Sequence, residues 1–134
     1  MDQPKRILIV DDDDRVRFVL EGALSKLGPE YEIVTASNSR EALDKARKTA
    51  FELLITDLRL PRSDGLALTS AFAKISPGTK VLWITAYGCH RFLEPAKRLD
   101  VIQCLDKPLE IQEIRRAALA ALGNGSTAES DPDR

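Results

Sequence analysis

The sequence is poor in the residues that mark several large classes of protein. Among its 134 residues there are two cysteines, one histidine and one tryptophan, and 5% of the residues are aromatic. Cys89 and Cys104 lack a metal-ligand spacing, so they predict neither a zinc site nor a disulfide-stapled secreted domain. We therefore expect two reduced thiols. His90 is expected to be a surface residue, because a phosphohistidine carrier would need a four-helix bundle that this sequence does not predict.

An excess of positive charge and a long apolar segment are both missing. Lys and Arg number 20 against 21 Asp and Glu, which gives a formal net charge of -1. This balance argues against direct binding to nucleic acid, because counterion release requires clustered positive charge. The apolar residues before Asp11 are too few for a signal-peptide core, and no run reaches the roughly 20 residues of a membrane span. We predict a cytoplasmic protein without a membrane segment.

Short apolar segments alternate with helical patterns along the chain. Segments rich in β-branched residues predict buried parallel strands, and the helical spacing between them predicts an α/β sheet with right-handed crossovers. The predicted strands are residues 7–10, 31–35, 53–56, 81–84 and 101–105. The predicted helices place on their buried faces Val16, Val19, Leu20, Ala23, Leu24 and Leu27, then Ala42, Leu43 and Ala46, then Leu68, Ala71, Phe72 and Ile75, and finally Ile111, Ile114, Ala118, Ala121 and Leu122.

The helix boundaries are predicted from capping residues and breakers. Asp13 or Asp14 is expected to begin the first helix, and Asn38 the second, with Glu41 completing a capping box on Asn38. Pro95 would kink the fourth helix, residues 91–99, unless it lies in the first turn. Beyond the last helix, residues 124–134 are small, polar and charged, so we predict a disordered tail or the stub of a linker.

Polar residues follow four of the predicted strands at the point where each strand ends. Asp11 and Asp12 follow the first strand, Asp57 the third, Thr85 the fourth and Lys107 the fifth. Because the carboxyl ends of parallel strands open on one edge of the sheet, we expect these side chains to converge. Two unit charges about 4 Å apart repel by about 4 kcal/mol at an effective dielectric of about 20, so the carboxylates require a cation. Such a site can hold a divalent cation beside a phosphoryl group.

This constellation resembles the receiver domain of two-component response regulators, from about Lys5 to Leu122. The resemblance is carried by Val10-Asp11-Asp12, by Thr56-Asp57-Leu58-Arg59-Leu60-Pro61 with Asp64-Gly65, by Thr85-Ala86 and by Lys107-Pro108. Each motif is common by itself, and their order on successive strands makes the combination specific. The resemblance implies a receiver domain over residues 1–123. Its fold would be a doubly wound, flavodoxin-like sheet of five parallel strands in the order 2-1-3-4-5, with helices on both faces.

The resemblance implies a phosphoacceptor and a metal site among the acidic residues. Asp57 would attack a phosphorus atom in line and form an aspartyl phosphate. Asp12 and Asp57 would ligate Mg²⁺ directly, Asp11 largely through water, and Arg59 through its backbone carbonyl. Oxygen ligands with retained waters suit Mg²⁺, and Mn²⁺ would be a workable substitute. Asp13 is expected to act as a helix cap rather than as a ligand.

The resemblance also implies roles for the residues after the last two strands. Lys107 would contact the phosphoryl group through its charge, aimed inward by a cis Lys107-Pro108 bond, and Thr85 would donate a hydrogen bond. Thr85 would also act as a switch that moves together with an aromatic residue on the last strand. Cys104 stands at that position, and a thiol cannot make the same swing. We therefore expect a weakened coupling, for which Tyr87 or Phe92 could substitute.

Two further residues are expected to border the phosphoryl site. Arg59 and Tyr87 lie two residues after Asp57 and Thr85, where the resemblance implies that they tune the lifetime of the phosphoryl group. Arg59 could shield the acyl phosphate from water, or it could pair with the acidic cluster when no metal is bound. The sequence does not decide between these two roles.

The function implied by the resemblance is that of a signalling domain, with at most self-catalysed phosphotransfer and slow autodephosphorylation. A sensor histidine kinase or phosphotransfer protein would supply the phosphoryl group. The face formed by the fourth helix, last strand and last helix would respond by contacting an output protein or domain, or a second copy of the chain. The sequence contains no output domain, so the chain would act through protein contact alone or as part of a longer protein.

Two alternatives use the same residues differently. A haloacid-dehalogenase-type phosphatase also needs a strand-end Asp, Mg²⁺, a Thr or Ser and a Lys, and Asp11-Asp12-Asp13 contains its Asp-x-Asp spacing. Such an enzyme needs a further acidic pair late in the chain, where the sequence offers Asp106 and no cap domain. A receiver-fold interaction module that is never phosphorylated usually lacks an acidic or Lys position. None is lost here, and the departure at Cys104 keeps this alternative open.

Overall fold

A parallel sheet lies at the centre of the protein in the computed structural model, which describes residues 4–123. Its strands are β1 (Lys5–Val10), β2 (Tyr31–Ala36), β3 (Leu53–Asp57), β4 (Lys80–Thr85) and β5 (Gln103–Asp106). They lie in the order β2-β1-β3-β4-β5, and every neighbouring pair is parallel. The predicted doubly wound sheet and its strand order are confirmed.

Helices cover both faces of this sheet within residues 4–123. They are α1 (Asp14–Ser25), α2 (Ser39–Lys48), α3 (Gly65–Ile75), α4 (Leu93–Arg98) and α5 (Ile111–Ala121), and a 3-10 turn (Cys89–Phe92) precedes α4. Successive residues of β1 point to opposite faces. Ile7 and Ile9 pack with residues of α1 and α5, and Leu8 and Val10 pack with residues of α2 and α3. Burial of both faces explains why the central strands β1, β3 and β4 are almost continuously apolar.

The helix starts follow the predicted capping residues, with one difference. Asp13 caps α1 by accepting a hydrogen bond from the Arg15 N–H, and Asn38 caps α2 by accepting one from the Glu41 N–H at 2.8 Å. The predicted capping box on Asn38 is wrong in one detail, because the Glu41 carboxylate accepts from the N–H of Ser37 at 2.9 Å instead. This hydrogen bond from the Ser37 backbone is the main reason that the pKa of Glu41 lies below its usual 4.5.

Three apolar residues predicted to lie on buried helix faces are exposed. Val19, Ile75 and Ile111 have exposed fractions of 46%, 40% and 41%. Each lies at the margin of an apolar stripe, and only the centre of the stripe contacts the sheet, so sequence spacing overestimates the buried width. Pro95 lies in the first turn of the short helix α4, which avoids the predicted kink.

The two cysteines form a disulfide, and the prediction of reduced thiols is wrong. Cys89 is the first residue of the 3-10 turn, and Cys104 lies in β5 directly beside Trp83 of β4. Their Cα atoms are 5.8 Å apart although 15 positions separate them in sequence. The pairing of β4 with β5 brings the two residues together, and their spacing along the chain does not reveal this.

A two-stranded hairpin that the sequence analysis did not predict follows β3. Arg59–Leu60 pairs antiparallel with Ser63–Asp64, and Arg62 in the connecting turn has a φ of 61°. The prediction for residues 124–134 lies outside the described residues. Of the helices between residues 4 and 123, none is both long and apolar enough to cross a lipid bilayer.

Candidate functional site

The polar residues predicted to converge do meet at the carboxyl edge of the sheet. The Nζ of Lys107 lies 2.9 Å from Oδ2 of Asp11 and 2.9 Å from Oδ2 of Asp57. These three residues follow or end β1, β3 and β5, which are far apart in sequence. The parallel order of the strands therefore accounts for the site. The Lys107-Pro108 peptide bond is cis, as the resemblance implied.

The acidic residues of this edge form one cluster of oxygen atoms. Asp11, Asp12 and Asp57 each offer a carboxylate oxygen, and these oxygens lie within 4.8 Å of one another. Asp11 and Asp57 are buried, whereas Asp12 is exposed. Oxygen-only ligands at this spacing fit a hard divalent cation such as Mg²⁺. An exposed third carboxylate gives the cluster an opening to solvent through which an ion could enter.

Main-chain groups hold the two buried carboxylates in place. Oδ1 of Asp11 accepts a hydrogen bond from the Asp13 N–H at 2.9 Å, and Oδ1 of Asp57 accepts one from the Arg59 N–H at 3.1 Å. The other oxygen of each carboxylate faces Lys107. Each buried carboxylate is therefore oriented from two sides, which limits the rotation of its side chain.

The pKa values of this cluster follow from burial and pairing. Burial raises the pKa of Asp11 above its usual 3.8, repulsion from Asp57 adds to this, and the Asp13 N–H and Lys107 act in the opposite direction. For Lys107, burial lowers the pKa, but the hydrogen bonds that its ammonium group donates to both carboxylates, and their negative charges, outweigh this effect, so the pKa lies above 10.5. Lys107 therefore stays cationic at neutral pH. On the alkaline side, the stability that Lys107 contributes is present below about pH 10.5 and is lost as the pH rises through its elevated pKa.

Thr85 ends β4 beside this cluster and is fully buried. Its Oγ1 accepts a hydrogen bond from the Tyr87 N–H at 2.9 Å, and its backbone oxygen accepts one from the Lys107 N–H at 2.8 Å. Among residues 4–123, the Thr85 hydroxyl donates to no protein acceptor. It therefore keeps a hydrogen that can be donated to a group entering the site.

Arg59 and Tyr87 form one wall of the cleft above the acidic cluster. The guanidinium carbon of Arg59 lies 5.0 Å from the centre of the Tyr87 ring, a cation–π contact. The predicted alternative in which Arg59 pairs with the acidic cluster is not what the structure shows, because Lys107 takes that position. The cleft of about 470 Å³ is also lined by Asp12, Pro61 and Ala86.

Some residues that shape the site escaped the sequence analysis. Nη1 of Arg17 donates a hydrogen bond to the Asp11 backbone oxygen at 2.6 Å. The same guanidinium pairs with Asp14, and the i,i+3 spacing of these two residues could have indicated this pair from the sequence. Gly65 packs so closely under β3 that a Cβ there would lie 2.5 Å from the Asp57 backbone oxygen. The glycine of the Asp64-Gly65 motif is therefore explained by close backbone contact. The sequence shows the glycine of this motif, but it does not show which part of the backbone the glycine contacts.

The family of the chain follows from comparison with known proteins. A family model of the response regulator receiver domain matches residues 7–119. The chain belongs to this family. Receiver domains are signalling domains rather than enzymes of the usual kind, which agrees with the functional class that the resemblance implied.

Individual relatives agree with this assignment. The chain is 33% identical over 113 residues to the sporulation initiation phosphotransferase F of Bacillus subtilis. This alignment covers 84% of this chain and 90% of the relative. It is 38% identical over 110 residues to a response regulator receiver protein of Anaeromyxobacter, covering 82% of this chain and 45% of that longer protein. The chain therefore spans less than half of some of the relatives that it matches.

A solved receiver structure also resembles this protein. The response regulator TrrA of Thermotoga maritima, solved in complex with Mg²⁺ and BeF, has a TM-score of 0.77 and 30% identity. The match covers 87% of this chain and 98% of TrrA. The receiver fold is therefore shared with a protein whose crystals contained a magnesium ion and a fluoride complex of beryllium.

Proposed function

We propose that this receiver domain accepts a phosphoryl group on Asp57 from the phosphohistidine of a sensor histidine kinase or phosphotransfer protein. The observation that carries the proposal is the position of Lys107, whose ammonium group lies 2.9 Å from both Asp11 and Asp57. An ammonium group between the acceptor and a second carboxylate can stabilise the negative charge that develops on an incoming phosphoryl group. The cytoplasm is the compartment proposed for this exchange.

The Asp57 carboxylate is positioned to act as a nucleophile, because both of its oxygens are oriented by neighbouring groups. Its Oδ1 is held by the Arg59 N–H, and its Oδ2 faces Lys107. In the transfer, a bond forms between a carboxylate oxygen and phosphorus while the bond between phosphorus and the donor histidine nitrogen breaks. The nitrogen keeps the electron pair of the broken bond and takes a proton from solvent. Lys107 and the Thr85 hydroxyl then hold the phosphoryl oxygens.

The acidic cluster fits Mg²⁺ as the cofactor of this reaction. The proposed ligands are Asp12 and Asp57 directly, Asp11 largely through water, and the backbone carbonyl of Arg59, with Mn²⁺ as a substitute. When bound, the ion neutralises charge on the carboxylates and on the phosphoryl oxygens. The grouping of three carboxylate oxygens within 4.8 Å supports this set, as does the magnesium complex of the related TrrA.

The proposed response is a change on the face formed by α4, β5 and α5. Thr85 connects the phosphoryl site to the loop that leads into α4, and Lys107 connects it to the end of β5. Movement of Thr85 toward the phosphoryl group would draw along the Tyr87 N–H, from which its Oγ1 accepts a hydrogen bond, and so move this loop. The changed face would bind an output protein or domain, or a second copy of the chain.

Incubation with Mg²⁺ and a small acyl phosphate tests the function. We expect intact-mass spectrometry to show one added phosphoryl group, which is lost when Mg²⁺ is removed by a chelator before the reaction. Transfer from a phosphorylated histidine-containing domain is expected to give the same product. An unchanged mass, under conditions that modify a control receiver, would contradict the proposal and favour an interaction module that is never phosphorylated.

Mg²⁺ is expected to stabilise the folded protein, since the unfolded chain cannot assemble the cluster. Asp12→Asn is the informative variant, because Asp12 is exposed and Lys107 pairs with the other two carboxylates instead. This variant should melt slightly higher than wild type without metal and lose most of the gain in melting temperature that millimolar Mg²⁺ gives. Asp44→Asn, which changes an exposed acidic residue of α2, is the matched control and should keep the gain. If the melting temperature of the wild-type protein does not change when Mg²⁺ is added, the metal site is excluded.

A further inference from the structure

We propose that Cys89 and Cys104 form a reversible disulfide that fastens the segment between β4 and β5 to the sheet when oxidised and releases it when reduced. The two Cα atoms are 5.8 Å apart, within the range that a disulfide spans. The bond joins the 3-10 turn after β4 to the middle of β5. It therefore links the segment that follows Thr85 to the strand that leads to Lys107.

The segment that this bond fastens has few other attachments. Neither the 3-10 turn nor α4 contains a fully buried residue. Phe92, Ala96 and Leu99 pack only partly against the core, and the Cys89 N–H donates to the Asp106 carboxylate at 2.8 Å. A segment with little buried apolar surface opens locally at low cost in free energy. The covalent bond therefore adds to these partly buried contacts, and to the edge-on contact of the Phe92 ring with Trp83, in holding residues 86–99 in place.

Both cysteine residues retain some exposure to solvent, although Cys104 also packs against the core. Cys89 and Cys104 are half-buried, and the neighbouring His90 and Gln103 are exposed. In a cytoplasm kept reducing by thiols, disulfides are rare, and those that form usually act in redox sensing or catalysis. A partly exposed disulfide at this position is therefore expected to open and close with the thiol balance of its surroundings rather than to act as a permanent staple.

The oxidant proposed is a low-molecular-weight disulfide, and the exchange balances without a further reagent. One cysteine thiolate attacks the small disulfide, which forms a mixed disulfide and releases one small thiolate. The second cysteine thiolate attacks the protein sulfur of the mixed disulfide and displaces the second small thiolate. Two electrons pass from the cysteine pair to the small disulfide, and the two cysteine protons end on the two released thiols. The reverse exchange with two small thiols reduces the protein.

The consequence for signalling rests on the proposed function. Cys89 lies four positions after Thr85, and Cys104 occupies the place of the aromatic residue expected to move with Thr85. A bond between these two positions resists any change that separates the loop after β4 from β5. We therefore expect phosphorylation to change the face formed by α4, β5 and α5 less in the oxidised protein than in the reduced one.

The experiment uses the full chain in buffers with graded ratios of a small monothiol and its disulfide. Alkylation followed by intact-mass spectrometry should show two blocked thiols in the reduced protein and none in the oxidised protein. Hydrogen exchange should show that amides of residues 86–99 exchange at least about tenfold faster after reduction, because the closed loop no longer limits opening. Cys89→Ser and Cys104→Ser each keep one thiol and cannot close the loop, so their hydrogen exchange over residues 86–99 should match that of the reduced protein at every ratio.

The outcomes separate this inference from the proposed function. Absence of the intramolecular bond at every ratio, formation of a dimer linked by cysteine instead, or equal exchange in both redox states would overturn the inference. These measurements need no phosphorylation, so they stand even where Asp57 gains no phosphoryl group. With a phosphoryl mimic bound, backbone NMR shifts should extend further across residues 86–99 and α5 in the reduced protein than in the oxidised protein. Equal spread in both redox states would overturn the coupling between the disulfide and signalling.

Discussion

Replacing Asp57 by Asn is expected to abolish phosphorylation of the protein by a small acyl phosphate in the presence of Mg²⁺. The amide has almost the same shape, so it can still accept the hydrogen bond that the Arg59 N–H gives to Oδ1. It has no anionic oxygen to form a bond with phosphorus, and covalent transfer therefore stops rather than slows. Intact-mass spectrometry of the treated variant should show the unmodified mass alone.

Asp64→Asn provides the matched control for this variant. Asp64 is an exposed residue that caps α3 by accepting from the Ala67 N–H at 2.7 Å, and Asn also caps helices well. The control should therefore fold and gain one phosphoryl group as wild type does. A phosphoryl group that persists on Asp57→Asn, located on another residue by peptide mapping, would contradict the assignment of the acceptor.

Replacing Lys107 by Met is expected to reduce both the stability of the metal-free protein and the rate of phosphoryl transfer. Lys107 pairs with two buried carboxylates, and its own side chain is only 20% exposed. Removing one partner of a buried ion pair costs about 3 kcal/mol, because the remaining charges lose their counter-charge. Loss of a preorganised donor at developing charge slows transfer by about 100-fold. Urea unfolding and single-turnover phosphorylation measure the two effects.

A second substitution separates loss of charge pairing from loss of packing. Adding Asp57→Asn to Lys107→Met removes one of the two stranded carboxylates, so the double variant should recover part of the lost free energy of unfolding. Saturating Mg²⁺ should also restore stability to Lys107→Met, since the ion supplies the missing positive charge. If Lys107→Met unfolds at the wild-type urea concentration without metal, the ion pairs do not stabilise the fold.

The strands and the residues at which they end could be predicted from the sequence for a physical reason. A strand buried on both faces must be apolar along its whole length, so β1, β3 and β4 stand out as apolar segments that stop at a charged or hydroxylated residue. Parallel strands joined by helices place all these stops on one edge of the sheet. The meeting of Asp11, Asp57 and Lys107 follows from that alone. The prediction of the strand order depended on family resemblance, since the pattern of apolar residues does not specify neighbours, and the structure confirmed it.

Other features depended on contacts between distant parts of the chain. Lys107, rather than Arg59, neutralises the buried carboxylates because its long side chain reaches from the end of β5 across the carboxyl edge of the sheet to Asp11 and Asp57. Arg59 is turned toward Tyr87 by the hairpin after β3. Val19 and Ile111 are exposed because the width of each helix contact is set by the neighbouring elements and not by the spacing of apolar residues.

By itself, the sequence determined the fold class, the edge of the sheet that carries the site, and the residue types that meet there. These follow from the periodicity of apolar residues and from the direction of parallel strands, which are properties of the chain before it packs. The tertiary structure decided which charges pair, and it joined Cys89 to Cys104 across 15 positions of sequence. A pairing of this kind depends on which strands become neighbours, because side chains distant in sequence approach each other only when the sheet is assembled.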